Sequence, residues 1–248
     1  MSVPLICSCS QHSPQLVRDC SPDYISRVDV LLRLRELPWF ATLDPALLSE
    51  LAERGRLIKC PVGGWLWGEG DEDTGIAAVF EGGLYLYAQT QDEGETLFSF
   101  LPRGGVLGQS RLFGGGPRLV TAIGAMESLI FLAPDRALRD AAADHPSLWP
   151  HLSALVYEQL REALKTIVSF AALKPRERLI ARLLQLSIVE RRVPVSQAAL
   201  AEMIGASRNA VNAWLGQLEQ EGAIVRRYGA IEVLRRRDLR RLLTNAHR

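Results

Sequence analysis

The chain contains no window of about 18 uninterrupted apolar residues, so a membrane-crossing helix is not expected. Met1 to Asp19 lack a basic stretch leading into an apolar run, which argues against a signal peptide or anchor and for a cytoplasmic location without a membrane partner. Cysteine is scarce. The four present, Cys7, Cys9, Cys20 and Cys60, lie in the first quarter of the chain and do not form a secreted disulfide framework, so reduced thiols are expected. Between Leu57 and Leu132 there is no histidine, which removes a cupin-type metal site from that stretch and weighs against a jelly-roll enzyme or a small-molecule-binding jelly roll. His12, His145 and His151 stand on separate segments and suggest no haem or metal centre. A composition of 48% hydrophobic and 23% charged residues is globular, and 248 residues exceed what one core usually fills, so two domains are expected.

A net charge of +1 conceals a strong asymmetry. Lys174 to Arg248 hold 15 basic and 7 acidic residues, net +8, leaving 14 basic and 21 acidic residues, net −7, for positions 1–173. A compact basic module behind an acidic one is the footprint of a nucleic-acid reader joined to a regulatory or assembly domain.

Residues 1–26 are polar and without periodicity and read as a flexible cysteine-containing arm. Residues 27–144 read as a sensor domain. Helical spacing occurs at Val28 to Leu37 and at Pro45 to Arg54, the latter capped by Asp44. Short alternating runs broken by glycines follow, such as Gly83-Leu84-Tyr85-Leu86-Tyr87, and point to a small barrel or double sheet. Residues 145–173 carry one long helix. Its apolar stripe, including Leu152, Val156, Leu160, Leu164 and Ile167, resembles a seam for a second copy of the same helix. Residues 174–248 form the basic module, opened by Pro175 at the first turn of a new helix.

Within that module Ser196 can cap a helix from Gln197 to Ile204, Gly205 can supply the turn, and Ser207 can cap a second helix to about Gln220. This is a helix-turn-helix arrangement, whose second helix enters a major groove of double-stranded DNA. Leu200, Ile204, Val211, Leu215 and Leu218 form its inner face. Ser196, Gln197, Ser207, Arg208, Asn209 and Asn212 are left as DNA-contacting candidates, with Arg208, Asn209 and Asn212 expected to read bases. Ile224 to Leu234 read as a hairpin wing whose Arg226 and Arg227, with Gln197, are expected to hold phosphates.

The order of barrel, long helix and winged helix-turn-helix resembles the family of the cyclic-AMP receptor protein and the fumarate-nitrate reduction regulator (CRP/FNR). The motifs that carry the likeness are Gly64-Trp65-Leu66-Trp67-Gly68-Glu69-Gly70-Asp71, Glu81-Gly82-Gly83-Leu84, Gly108-Gln109-Ser110-Arg111-Leu112-Phe113 and, most specifically, Leu200-Ala201-Glu202-Met203-Ile204-Gly205-Ala206-Ser207-Arg208. The resemblance implies an α+β fold: a cyclic-nucleotide-binding-like β-roll (a double-stranded jelly-roll barrel), a dimerisation helix and a winged helix-turn-helix. It implies a homodimeric, sequence-specific transcription regulator on a near-palindromic operator, touching RNA polymerase if it activates, with no catalytic role.

The effector is unknown from sequence. The family's effector cassette falls on Gly108, Gln109, Ser110, Arg118, Val120 and Thr121. Gln109 stands where cyclic-AMP binders place Glu, Leu119-Val120 replace their Arg-Ser pair, and Ala163 and Leu164 replace the hydroxyls that meet adenine, all of which argues against cyclic AMP as effector. Oxygen-sensing relatives ligate an iron–sulfur cluster through cysteines, so Cys7, Cys9, Cys20 and Cys60 make a cluster- or thiol-based redox sensor the main alternative, although their spacing differs. In the reader, Arg208-Asn209-Ala210-Val211-Asn212-Ala213 replaces the family's Arg-Glu-Thr-Val-x-Arg, so the half-site is expected to differ, with asparagine favouring adenine.

Overall fold

The computed structural model describes residues 21–23, 27–92, 94–108, 111, 114–188 and 190–245. Two helices, α1 (Arg27–Arg35) and α2 (Pro45–Arg54), precede the barrel, and Asp44 caps α2 by accepting from the Ala46 N–H at 2.9 Å. The barrel is two facing sheets. One has the order β1 (Ser21–Asp23), β2 (Arg56–Cys60), β9 (Ser128–Pro134), β4 (Gly75–Glu81), β7 (Val106–Leu107). The other runs β3 (Trp65–Trp67), β8 (Thr121–Gly124), β5 (Gly83–Gln89), β6 (Glu95–Pro102). Strand β1 lies inside the stretch expected to be an arm and pairs antiparallel with β2, Ser21 opposite Lys59.

Strands β4 and β9 are apolar on both faces because the first sheet is covered twice. Ala77, Val79, Ile130 and Leu132 face the barrel interior with Leu66, Trp67, Leu84 and Leu86. Ile76, Ala78, Phe80, Leu129, Phe131 and Ala133 face the helices, packing with Leu34, Phe40, Leu47 and Leu51.

Helix α3 (Asp135–Asp144) leads to α4 (Leu148–Ala172), whose N-terminal half belongs to the barrel domain. Leu148, Leu152 and Leu155 are buried in the helical core, the Trp39 indole donates to the His151 carbonyl at 3.1 Å, and the Gln159 amide donates to the Val106 carbonyl at 2.9 Å. The stripe predicts Leu152 at the seam; it is instead fully buried within the chain's own helical core, because the barrel's helices pack over the first turns of α4. Leu173 and Lys174 are extended, as a residue before proline prefers, and Pro175 starts α5 (Pro175–Leu186).

The last unit comprises α5, α6 (Gln197–Ile204), α7 (Arg208–Gln220), α8 (Arg236–Asn245) and a sheet ordered β10 (Arg192–Val193), β12 (Ala230–Val233), β11 (Ile224–Arg227). Its core holds Leu179, Leu183, Leu200, Ile204, Val211, Leu215 and Ile231, and it also includes Leu97 and Phe100 of β6. The second unit is therefore seated on the barrel's edge strand. Residues of β5 and β6 pair Leu86 with Ser99 but Tyr87 with Leu97, so Phe98 is the extra residue of a bulge. At that bulge the Arg182 guanidinium donates to the Phe98 carbonyl, and the adjacent Leu97 N–H donates to Glu202 Oε1 at 2.7 Å. Free edge groups of a sheet are thus paired by side chains of α5 and α6.

Candidate nucleic-acid interface

Local rules build the reading surface. The Ser196 hydroxyl accepts from the Ala199 N–H at 3.1 Å and the Ser207 hydroxyl from the Ala210 N–H at 3.2 Å, so each begins its helix as an N-cap. Between them Gly205 has φ 62° and ψ 49°, a left-handed conformation that a side chain would strain, and it turns the chain from α6 into α7. Burial of Leu200, Met203, Ile204, Val211, Leu215 and Leu218 fixes the angle between the helices. Arg208, Asn209 and Asn212 consequently lie exposed along the first turns of α7, while Gln197 is half-buried at the start of α6. Among the described residues nothing hydrogen-bonds the Arg208 or Asn209 side chains, so their donors and acceptors face solvent. The positive end of α7 adds to Arg208 in favouring a phosphate or a base acceptor.

The wing is a two-stranded ribbon, Arg227 opposite Ala230, turned by Tyr228 and Gly229. Arg227 is exposed and only loosely held by Glu232 at 3.4 Å. Arg226, expected to hold a phosphate, is engaged within the protein. Its Nε donates to Glu219 Oε2 at 2.7 Å, its backbone N–H to Glu219 Oε1 at 2.7 Å, and its Nη1 to Asn212 Oδ1 at 3.0 Å. The reason is that β11 is an edge strand beside α7, so an acidic residue on the helix captures both the free main-chain donor and the side-chain cation. These bonds hold the Glu219 carboxyl below its ordinary pKa of 4.5.

In the barrel, Arg118 occupies the cassette from inside. Its Nε donates to the Asp73 carbonyl at 3.0 Å, and its Nη1 donates to the Gly75 and Gly108 carbonyls at 2.8 and 3.0 Å. The guanidinium lies 3.9 Å from the Trp67 ring centroid. Burial pushes its pKa down to about 10 against the pull of Asp135, Asp71 and Asp73, so it stays charged at neutral pH. Gly108 has φ 102°, and a Cβ there would stand 2.3 Å from Arg118 Nη1, so only glycine admits this arrangement. The buried Thr121 hydroxyl accepts from the Glu69 N–H at 3.0 Å, and the carbonyl of half-buried Val120 accepts from the Trp67 indole at 3.0 Å. These cassette groups point into the fold rather than toward an open phosphate site. Gln109 and Ser110 lie outside the described residues.

Cys60 is wholly buried in the barrel core, its thiol donating to the Gly64 carbonyl at 3.3 Å. A cluster of several atoms on that sulfur would displace Ile58, Leu66 and Ile130, so Cys60 does not fit the ligand role. Cys7, Cys9 and Cys20 lie outside the described residues, among which no group of three or more metal-ligating side chains occurs. His145 pairs with Glu50 at 3.1 Å, and the His151 ring shares a hydrogen bond with Thr42.

Sequence reasoning does not single out Glu219, Glu202 or Arg182. The two carboxylates stand inside an otherwise basic reader, where donors are plentiful, and the donors they take are Arg226 and a sheet edge.

A β-roll is joined here through one long helix to a winged helix-turn-helix, the unit that places a helix in a DNA major groove. Residues 177–242 match the Crp-like helix-turn-helix domain. Among curated proteins, the chain is 22% identical over 194 residues to a CRP-like cAMP-activated global transcriptional regulator of Mycobacterium tuberculosis, covering 75% of this chain and 87% of that one. Among solved structures it is similar to FixK2 from Bradyrhizobium japonicum, with a TM-score of 0.68 at 19% identity over 76% of this chain and 96% of that chain. The c-di-GMP responsive global regulator CLP of Xanthomonas campestris gives a TM-score of 0.61 at 18% identity, covering 77% of this chain and 99% of that one. Residues 177–242 thus carry a Crp-like helix-turn-helix domain, and the architecture of the chain as a whole is similar to that of these regulators.

Proposed function

We propose that the protein acts as a homodimer whose α4 helices pair along their exposed stripes, presenting two α7 helices to a near-palindromic operator. The observation that carries this reading is the outer half of α4. Val156, Leu160, Leu164, Ile167 and Val168 are all exposed, Ile167 by 63%, and Leu164 and Val168 also line a groove of about 650 Å³ together with Phe170, Leu184 and Ile188. Ten such side chains in a pair, each about half exposed and worth roughly 1.5–3 kcal/mol for full burial, offset an association cost of the same order, roughly 4–15 kcal/mol. Isologous pairing of one stripe with its copy is the simplest closed solution. Arg208 and Asn209 then read base edges, while Gln197 and Arg227 hold phosphates.

The closed hydrogen-bonding of Arg118 and Thr121 supports a β-roll that responds to a signal other than a cyclic nucleotide. The test is sedimentation combined with DNA selection. The parent protein is expected to sediment as a dimer and to enrich half-sites centred about 34–36 Å apart. Leu160→Glu or Ile167→Glu is expected to give folded monomers whose operator affinity falls by at least about 100-fold, because a second half-site adds intramolecular binding. A monomeric parent, or undisturbed mutant dimers, would sink the assignment of the seam.

A further inference from the structure

We propose that Arg226 is a positioning residue for base reading: it turns the Asn212 amide so that only its NH2 group faces DNA, and Asn212 therefore selects a keto base, guanine or thymine, instead of adenine. The inference deepens the reading of the protein as a sequence-specific DNA binder and rests on it.

Adenine recognition by asparagine is bidentate, with Oδ1 accepting from the N6 amino group while Nδ2 donates to N7. Asn212 has already placed its Oδ1 on Arg226 Nη1 at 3.0 Å. Oδ1 keeps a second lone pair, but the Arg226 cation fixes the direction of the amide, and the two Nδ2 donors this presents suit the O6 and N7 acceptors of guanine or the O4 of thymine and are mismatched to the amino group of cytosine. The partner guanidinium is not free to swing to a phosphate. Its Nε and its backbone N–H are both taken by Glu219, whose carboxylate thereby staples the wing to the recognition helix at two points. All three hydrogen bonds are donated by Arg226, two to Glu219 and one to Asn212, so one wing residue ties both helix side chains. Asn209, three residues earlier, has no such partner among the described residues and keeps both amide ends for adenine. The two asparagines of one recognition helix are therefore distinguished by a residue of the wing, and the half-site should carry adenine at one position and a keto base at a neighbouring one.

The experiment is DNA selection and salt-dependent binding by the full-length protein, its Arg226→Ala, Arg226→Lys and Glu219→Gln variants, and Asn212→Ala in each background. Freed of its partner, the Asn212 amide can again bond adenine at both ends. Arg226→Ala and Arg226→Lys are expected to move preference at one base pair of each half-site toward adenine by about 10-fold. The slope of log affinity against log salt should stay within about half a unit of the parent. Lys keeps the charge but has no fork to reach Glu219 and Asn212 together, so it should behave as Ala does. Glu219→Gln should reproduce the shift in part, and in the Asn212→Ala background every one of these shifts should vanish.

Loss of about one unit of salt slope with base preference unchanged would make Arg226 an ordinary phosphate ligand and overturn the proposal. A preference shift that survives in the Asn212→Ala background would overturn it as well. Should Arg226→Ala fail to fold, Arg226→Lys and Glu219→Gln still separate a positioning role from a phosphate contact. Failure of the parent protein to enrich any sequence would instead remove the DNA-reading assignment itself, a different result from unchanged preference in variants of a parent that does select.

Discussion

Arg118 in the β-roll and Arg208 in the reader differ in what their surroundings leave them to do. Arg118 is enclosed by three main-chain carbonyls and the Trp67 ring, so its donors are directed at the protein. Arg208 stands exposed on the first turn of α7, with no hydrogen-bond partner among the described residues. Cassette and reader therefore use one residue type for opposite ends: the first cation closes a loop on itself, the second remains open to a polyanion. The position of an arginine in a family motif is a weaker guide than whether its donors are already engaged. Arg226 lies between these extremes, on the surface but bonded to Glu219 and Asn212.

The comparison breaks first at Arg118. Arg118→Met is expected to cost about 3–5 kcal/mol of stability, because the Asp73 and Gly75 carbonyls lose the Arg118 donor in a buried place, the Gly108 carbonyl keeps only the 3.3 Å bond from the Gly75 N–H, and the methionine restores only the packing on Trp67. Urea unfolding followed by tryptophan fluorescence checks this. A cost below about 1 kcal/mol would mean that the guanidinium is available to a ligand after all, and micromolar binding of cyclic AMP or cyclic GMP by calorimetry would point the same way.

A smaller effect is expected where reader and barrel meet. Glu202→Ala removes the acceptor of the Leu97 N–H on the edge strand and should cost about 1–2 kcal/mol. Its diagnostic readout is faster hydrogen exchange at Leu97, with the core amides of β5 unchanged. Arg182 connects the same edge to the helices, since its Nη1 donates to Gln185 at 2.8 Å and the Gln185 amide donates to Glu162 of α4 at 2.7 Å. Exchange at Leu97 identical to the parent would show that the Glu202 bond adds nothing to the apolar contact of Leu97 and Phe100 and the Arg182 bond to the Phe98 carbonyl.

Features that depend on a few consecutive residues are legible in the sequence. Asp44, Ser196 and Ser207 cap the helices they precede, Gly205 makes the turn, and Pro175 restarts a helix, because each rule operates within one turn of chain. The stripe on α4 is legible as a stripe but not as two surfaces. Leu152 and Leu160 have the same chemistry at helical spacing, and only the packing of the barrel against the first turns of α4 buries the former and leaves the latter exposed. Arg118 and Arg226 are less legible still. Their partners are main-chain carbonyls up to 45 residues away and a carboxylate seven residues away across a turn, contacts that follow from loop path and strand edge rather than from any local pattern.

The smallest expected effect sharpens the contrast between a buried and a surface cation through pH. Glu219 is held below its ordinary pKa of 4.5, first by the Arg226 N–H and then by the Arg226 side chain, so folding favours its ionised form. A carboxyl with a depressed folded pKa contributes stability that is fully present above its unfolded value and disappears as pH falls through the folded one. Parent protein and Glu219→Gln should therefore differ in stability at neutral pH and converge below pH 4.5, in a window where Arg118 remains fully charged on both sides. The other ion pairs nearby, Glu232 with Arg227 and Glu221 with Arg176, are common to both proteins and cancel in the difference. Thermal unfolding at closely spaced pH values measures that difference. A difference that stays constant down through the acid range would mean that the neutral amide holds the wing as well as the carboxylate does, and the staple would then owe its strength to hydrogen-bond geometry rather than to charge.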